Sequence, residues 1–315
     1  MDLRLAFLGT PRFAVPTLER LAEAGFDILG VWTQPDRPRG RGLEAAPSPV
    51  KETAARLNLP VHQPEKIRRP EVVESLRELR PEVMVVVGYG QIIPQSIIDI
   101  SRLGIVNVHA SLLPKYRGAA PVQWAIAGGE TRTGVTIMRI DAGLDTGDIL
   151  TMEETEIGEQ ETAVELAGRL AQTGADLLVR ALRGLAAGEI TPRPQDHAQA
   201  SYAPLLKKAD GLIDWRRTAF EIHNRLRGFQ PWPGAFTTFR GQSLHIWRAL
   251  PASGAAPGEP GGLTASHDGL RVTCGLETAL DLLEVQVEGR KRVSAEAFVN
   301  GYRPKEAEKL GESAA

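Results

Sequence analysis

Leu3-Arg4-Leu5-Ala6-Phe7-Leu8-Gly9-Thr10-Pro11 is an apolar run that stops on a turn, and Phe13 to Ala24 then reads as a helix. Ile28 to Trp32 is a second apolar run, Val83 to Val87 a third that is almost wholly apolar, and Ile105 to Val108 a fourth. Strands that lack polar alternation, separated by helix-length segments, predict a parallel sheet covered on both faces. That is a doubly wound α/β domain. Glu161 to Ala187 reads as one long helix that closes it. The first turn, Gly9-Thr10-Pro11-Arg12-Phe13-Ala14, has the first glycine of a dinucleotide fingerprint and neither of the others. A backbone that approaches a pyrophosphate closely needs those glycines, so NAD and FAD are excluded. The turn either opens a helix N-terminus towards another ligand or is a plain tight connection.

Outward from this domain, residues 188 to about 208 hold Pro192, Pro194 and Pro204 among polar residues without period, the pattern of a linker. Beyond it Ala235–Phe239, Ser243–Trp247 and Gly269–Thr273 alternate with Gly/Pro/Ser turns, which predicts a small β-barrel or sandwich. The expected organisation is therefore residues 1–189, a linker over 190–208 and a second domain over 209–315, as a length of 315 residues suits. No run reaches the 18 or so apolar residues of a spanning helix, and Met1-Asp2-Leu3-Arg4 lacks the order of a signal peptide. Cys274 is the only cysteine, so an internal disulfide and a cysteine zinc site are both excluded. A reducing cytoplasm fits these features. The net charge of −2 is unevenly spread: Lys207 to Leu250 carries eight Lys/Arg against three Asp/Glu. Such a window is the footprint of a polyanion partner or a solvated helix face.

The chemistry concentrates at Asn107-Val108-His109-Ala110-Ser111-Leu112-Leu113-Pro114, the end of the fourth apolar strand. Alternation puts Asn107 and His109 on one side, about 6–7 Å apart. Ligands of open α/β sheets bind beyond the carboxyl ends of the strands, where this pair falls. Asparagine offers an amide donor, and histidine an acid or base near neutral pH. Asp141-Ala142-Gly143-Leu144-Asp145-Thr146-Gly147-Asp148, a glycine-hinged loop after the strand Val135–Met138, supplies carboxylates. Such a trio suits acyl transfer to an amine: amide and imidazolium steady the oxyanion, and a carboxylate holds the imidazole. No G-x-S-x-G elbow and no metal-ligand spacing accompany it. A core histidine beside a surface turn would leave the same residues in the sequence.

Asn107, the run His109 to Pro114 and Asp145 together resemble the signature of the folate-dependent formyltransferases. The resemblance implies that Asn107, His109 and Asp145 are catalytic and that 10-formyltetrahydrofolate is the donor, with no metal. It implies that Ser111, Leu112, Leu113 and Pro114 contact the folate, and that Val87, Gly88, Tyr89, Gly90 and the loop from Asp141 to Asp145 border its pterin pocket. Gln34-Pro35-Asp36-Arg37-Pro38-Arg39-Gly40-Arg41-Gly42 and Pro47-Ser48-Pro49-Val50-Lys51 are similar to an inserted loop of the branch that formylates methionyl-tRNA. Lys115 to Pro121, Gly134 to Met138, Gly143 to Asp148 and Phe229-Gln230-Pro231-Trp232-Pro233-Gly234 carry the likeness from Phe7 to about Tyr302. Where that branch often adds basic residues, this chain reads Leu43-Glu44-Ala45-Ala46.

The resemblance thus implies a Rossmann-like catalytic domain, an OB-like barrel that binds tRNA, and formylation of the methionyl α-amine on initiator tRNA. Arg37, Arg39 and Arg41, set between glycines and prolines, suit contacts to phosphates. Arg216, Arg217, Arg225 and Arg227 extend this along the second domain. Trp215, Trp232 and Trp247 fit an OB-type stacking module or, the commoner case for tryptophan, a barrel core. Family analogy adds a monomer without membrane contact. Two alternatives share parts of the evidence: a formyltransferase acting on a small-molecule amine, and a non-catalytic RNA-binding relative.

Overall fold

The computed structural model describes residues 3–39, 44–266, 269–305 and 308–311, with main chain alone at 38, 39, 44 and 45. Arg41 lies outside the described residues, as does the Arg39 side chain. The chain divides into two compact units. One comprises 1–121, 132–156 and 167–204, and the other 122–131, 157–166 and 205–315.

The first unit is built on a seven-stranded sheet. Five parallel strands run in the order Val61–His62, Asp27–Trp32, Arg4–Gly9, Val83–Val87 and Ile105–His109. Every residue of Val83–Val87 is buried, as its unbroken apolar character predicts. Arg132–Arg139 then adds antiparallel to Ile105–His109, and Ile149–Glu156 antiparallel to that. The last strand is an edge, and its exposed Glu153 and Glu154 blunt it against further pairing. Those charges also hide it from a search for apolar runs.

Helices Val15–Glu23, Pro49–Arg56 and Pro70–Leu79 each carry proline in the first turn, where the missing N–H costs nothing. Ser48 caps the second by accepting from Lys51 N at 3.1 Å. The long helix is Ala163–Ala187. A Cβ at its Gly174 would stand 2.7 Å from Val108 Cγ1, so glycine there lets the helix lie tightly on the strand that ends in His109. Between Trp32 and Pro49 a short hairpin pairs Arg37–Arg39 with Glu44–Ala46. Its base is fastened by Asp36, which accepts from Lys51 Nζ at 2.5 Å and Gln63 Nε2 at 2.7 Å. These partners hold the Asp36 carboxyl below its ordinary range.

The second unit is a small barrel-like domain. Its antiparallel strands run in the order Ala235–Phe239, Gln242–Pro251, Ala279–Val287, Gly269–Thr273 and Leu263–Ser266, with Val293–Ser294 beside Ala279–Val287. Register shifts after Ile246 and Arg248 bend the longest strand. Trp215, Leu244, Ile246, Leu282, Val285 and Phe298 fill the core. Helix Ala219–Gly228 covers it, begun by a capping box of Thr218 and Glu221.

Candidate active site

The carboxyl ends of three neighbouring parallel strands meet at one edge of the first sheet. Gly9-Thr10 follows the first, Gly88-Tyr89-Gly90 the next, and the third ends in Asn107 and His109. Tyr89 O accepts from Thr10 Oγ1 at 3.0 Å and from Gln34 Nε2 at 3.2 Å, which ties the loops to each other. Gly88 and Gly90 have φ of 57° and 83°, a conformation that glycine adopts without a Cβ clash.

Asn107 and His109 are 8% and 5% exposed. Buried side-chain amides are nearly always hydrogen-bonded. Among the described residues the Asn107 amide has no hydrogen-bond partner, so its donor and acceptor stand available to a ligand. The histidine is held firmly. Tyr116 O lies 3.0 Å from Nε2 and, being a carbonyl, can only accept, so Nε2 carries a hydrogen. Nδ1 therefore faces the site, 3.6 Å from Asp145 Oδ2. Asp145 has φ of 52°, and its Oδ2 also accepts from Gly118 N at 2.8 Å. His109 and Asp145 are thus brought together, with Asn107 two residues before His109 on the same strand.

A buried network that sequence reading missed positions it. Gln195 Nε2 donates to Asp145 O at 2.9 Å and to Gly147 O at 2.7 Å, clamping both sides of the aspartate loop. Gln195 Oε1 accepts from Arg117 Nε and Nη2 at 3.1 and 2.7 Å. Arg117 Nη2 lies 3.1 Å from His197 Nδ1. Gln195 falls in the stretch read as linker. That stretch is instead part of the first unit as far as Pro204: Tyr202–Ala203 pairs in parallel with Arg117–Gly118, and Ser201 Oγ accepts from Tyr116 N at 2.9 Å. Prolines and polar residues without period disguise a segment whose order comes from long-range hydrogen bonds. Thr136 was missed too. It accepts from Leu113 N at 3.1 Å and donates to Ser111 O at 2.7 Å, pinning the loop after His109 to the next strand.

Exposure divides the expected folate contacts. Gly88, Gly90 and Asp141 are exposed, and Leu112 and Pro114 half-buried. Val87, Tyr89, Ser111 and Leu113 are no more than 3% exposed. They back the edge from within: Ser111 Oγ donates to Lys115 O at 2.6 Å, and Leu113 packs on Met138 and Ile149. Burial also pushes the Tyr89 phenol up to about 12. Asp141 Oδ1 accepts from Gly143 N at 3.0 Å and Thr146 Oγ1 at 2.6 Å, which shapes the loop ahead of Asp145.

Two family models match the chain: Formyl transferase over residues 3–182, and Formyl transferase, C-terminal domain, over 205–303. The chain belongs to the formyl transferase family. It is similar to the methionyl-tRNA formyltransferase of Solibacter usitatus (strain Ellin6076), 62% identical over 310 residues, covering 98% of this chain and 99% of that one. It is also similar to the methionyl-tRNA formyltransferase of Koribacter versatilis (strain Ellin345), 58% identical over 308 residues and 98% of each chain. Among solved structures, the sugar 3N-formyl transferase WlaRD, crystallised with dTDP and 5-N-formyl-THF, shares the fold at 20% identity. Its TM-score is 0.68, over 92% of this chain and 100% of that one.

The basic residues of the second unit are not alike. Arg216 and Arg217 are exposed, each beside a carboxylate, Asp214 at 2.8 Å and Glu221 at 3.5 Å. Arg225 is half-buried over the Phe229 ring at 4.9 Å, and burial lowers its pKa. Arg227 is buried, and its guanidinium donates to Asn224 Oδ1 and to the carbonyls of Gly158 and Glu161. That arginine fastens two segments of its own unit. Of the tryptophans, Trp215 is core, donating Nε1 to Thr237 Oγ1, whereas Trp232 is 54% exposed. In the first unit Arg37 is exposed at the base of the hairpin, next to Asp36. Among the described residues no helix is long and apolar enough to cross a membrane.

Proposed function

We propose that this chain transfers the formyl group of 10-formyltetrahydrofolate to the α-amino group of methionyl-initiator tRNA, releasing tetrahydrofolate. The observation that carries the chemistry is the juxtaposition of an unpartnered Asn107 amide, an oriented His109 and Asp145 at the carboxyl edge of the sheet. The naming of near-identical-length relatives at 62% and 58% identity supports the acceptor.

In this mechanism the neutral methionyl amine attacks the formyl carbon directly. The Asn107 amide and a proton on His109 Nδ1 hold the oxygen as it gains charge, acting as preorganised donors. With Nε2 committed to Tyr116 O, Nδ1 is the ring nitrogen left for this task. Asp145 supports the imidazole and accepts the amine proton, through a water where the reach requires it. The bond from the formyl carbon to folate nitrogen then breaks as that nitrogen takes the proton that Asp145 received from the amine. Gly88, Gly90, Leu112, Pro114 and Asp141 form the rim that meets the folate.

For the acceptor, Arg37, Arg39 and Arg41 follow the acceptor-stem backbone, and Arg216, Arg217 and Arg225 meet further phosphates from residues 209–315. Residues 1–189 carry the chemistry. The enzyme works as a cytoplasmic monomer. Turnover on charged tRNA is the test: His109→Ala and Asn107→Ala should each lower it about 10²- to 10³-fold. Wild-type turnover in either variant would refute the site.

A further inference from the structure

A cavity with its own chemistry lies within the second unit. It measures about 330 Å³ and is lined by Gln230, Pro231, Trp232, His245, Trp247 and Glu288, among others. That volume is within the range of small-ligand pockets. One wall is rigid. Trp247 Nε1 donates to Gln286 Oε1 at 3.0 Å, its carbonyl accepts from Gln230 Nε2 at 2.8 Å, and the Arg292 guanidinium lies 5.0 Å over its ring. His245 stacks at 6.3 Å from Trp247 with planes 26° apart. Trp232, the other tryptophan of the lining, is 54% exposed, so its ring is reachable from solvent.

One acidic residue, Glu288, lines the pocket, and a run of cations follows it in sequence. Gly289 lines it, and Arg290, Lys291 and Arg292 follow in succession, all exposed. Arg292 pairs with Glu284, while among the described residues neither Arg290 nor Lys291 has an ion-pair partner. Aromatic faces beside a run of cations are the two components of single-stranded nucleic-acid binding: stacking for a base and attraction for its phosphates. An apolar peptide would use the rings and have no use for the cations.

We infer that this cavity takes one unpaired base of the RNA substrate, stacked on Trp232, with Arg290 and Lys291 on the adjoining phosphates. The inference rests on the reading that the substrate is a tRNA. Glu288 brings side-chain oxygen acceptors to the lining, to which a stacked base can donate an amino or ring N–H. Burial lowers the His245 pKa, which leaves a neutral ring to stack or to share a hydrogen bond.

The test uses the full chain, with direct binding of methionyl-initiator tRNA and, as a check of folding, binding of reduced folate. Trp232→Ala should weaken tRNA binding about 5- to 100-fold, and Trp232→Phe, which keeps a π-face, should recover most of it. Arg290→Ala with Lys291→Ala should lower the slope of log affinity against log salt by about 2. Unchanged affinity in Trp232→Ala, or an unchanged salt slope in the double variant, overturns the pocket while formyl transfer by the wild type keeps the enzyme reading. A wild type that neither binds nor formylates charged tRNA removes both. Should Trp232→Ala lose folate binding, the double variant decides.

Discussion

Gln195 is where residue-scale reasoning adds most to the site. Its amide spends both ends on buried groups, the carbonyls of Asp145 and Gly147 on one side and the Arg117 guanidinium on the other. Gln195→Leu would leave that guanidinium with His197 alone and both carbonyls without the Gln195 donor. A loss of about 1–3 kcal/mol is expected, read from urea unfolding. Turnover should fall with it, because Asp145 loses its tether, and unchanged stability would contradict the network. Cys274 yields a prediction of another kind. Burial pushes its thiol up to about 12, so little thiolate exists at neutral pH. Alkylation of the folded protein at pH 8 should therefore be negligible, and rapid labelling without unfolding would contradict the burial. Asn107, His109 and Asp145 were legible in the sequence because polar residues there interrupt an apolar strand end. Gln195 and Arg117 were not: a buried polar pair is defined by partners some 78 positions apart, and no local pattern marks it.

The elements were legible in proportion to their hydrophobicity. Val83–Val87, Ala235–Phe239 and Gly269–Thr273 have the limits their sequence suggests. Val61–His62 and Ile149–Glu156 escape notice, one because it is two residues long and the other because it is a charged edge. Segment 190–204 misleads for the opposite reason, since composition marks it as a linker and hydrogen bonds hold it to the first unit. The aspartate loop offers a test at this scale. A Cβ on Gly147 would stand 2.0 Å from Arg139 O, a main-chain atom that has little room to yield. Gly147→Ala should lower stability by about 1–3 kcal/mol through overpacking and reduce turnover as Asp145 shifts. A variant with wild-type melting temperature and turnover would show that the loop tolerates movement and that the position of Asp145 is not critical.

At the scale of the whole molecule the net charge of −2 conceals cations gathered on particular segments. The window 207–250 was visible in sequence, yet it mixes the exposed Arg216 with the buried Arg227, which counting cannot separate. Arg290-Lys291-Arg292 lies outside that window and gains meaning only beside the Trp232 cavity. If these cations meet phosphates, affinity for charged tRNA should fall at least about tenfold between 50 and 200 mM salt, measured by filter binding. Salt-insensitive binding would remove tRNA contacts from all of them. The central claim joins a donor, an acceptor and one reaction, and transfer of labelled formyl from 10-formyltetrahydrofolate tests it most directly. The acceptors to compare are methionyl-initiator tRNA, uncharged tRNA, free methionine and an amino-sugar nucleotide. The account predicts label on the charged tRNA alone, and label on the sugar nucleotide with none on the tRNA would contradict it.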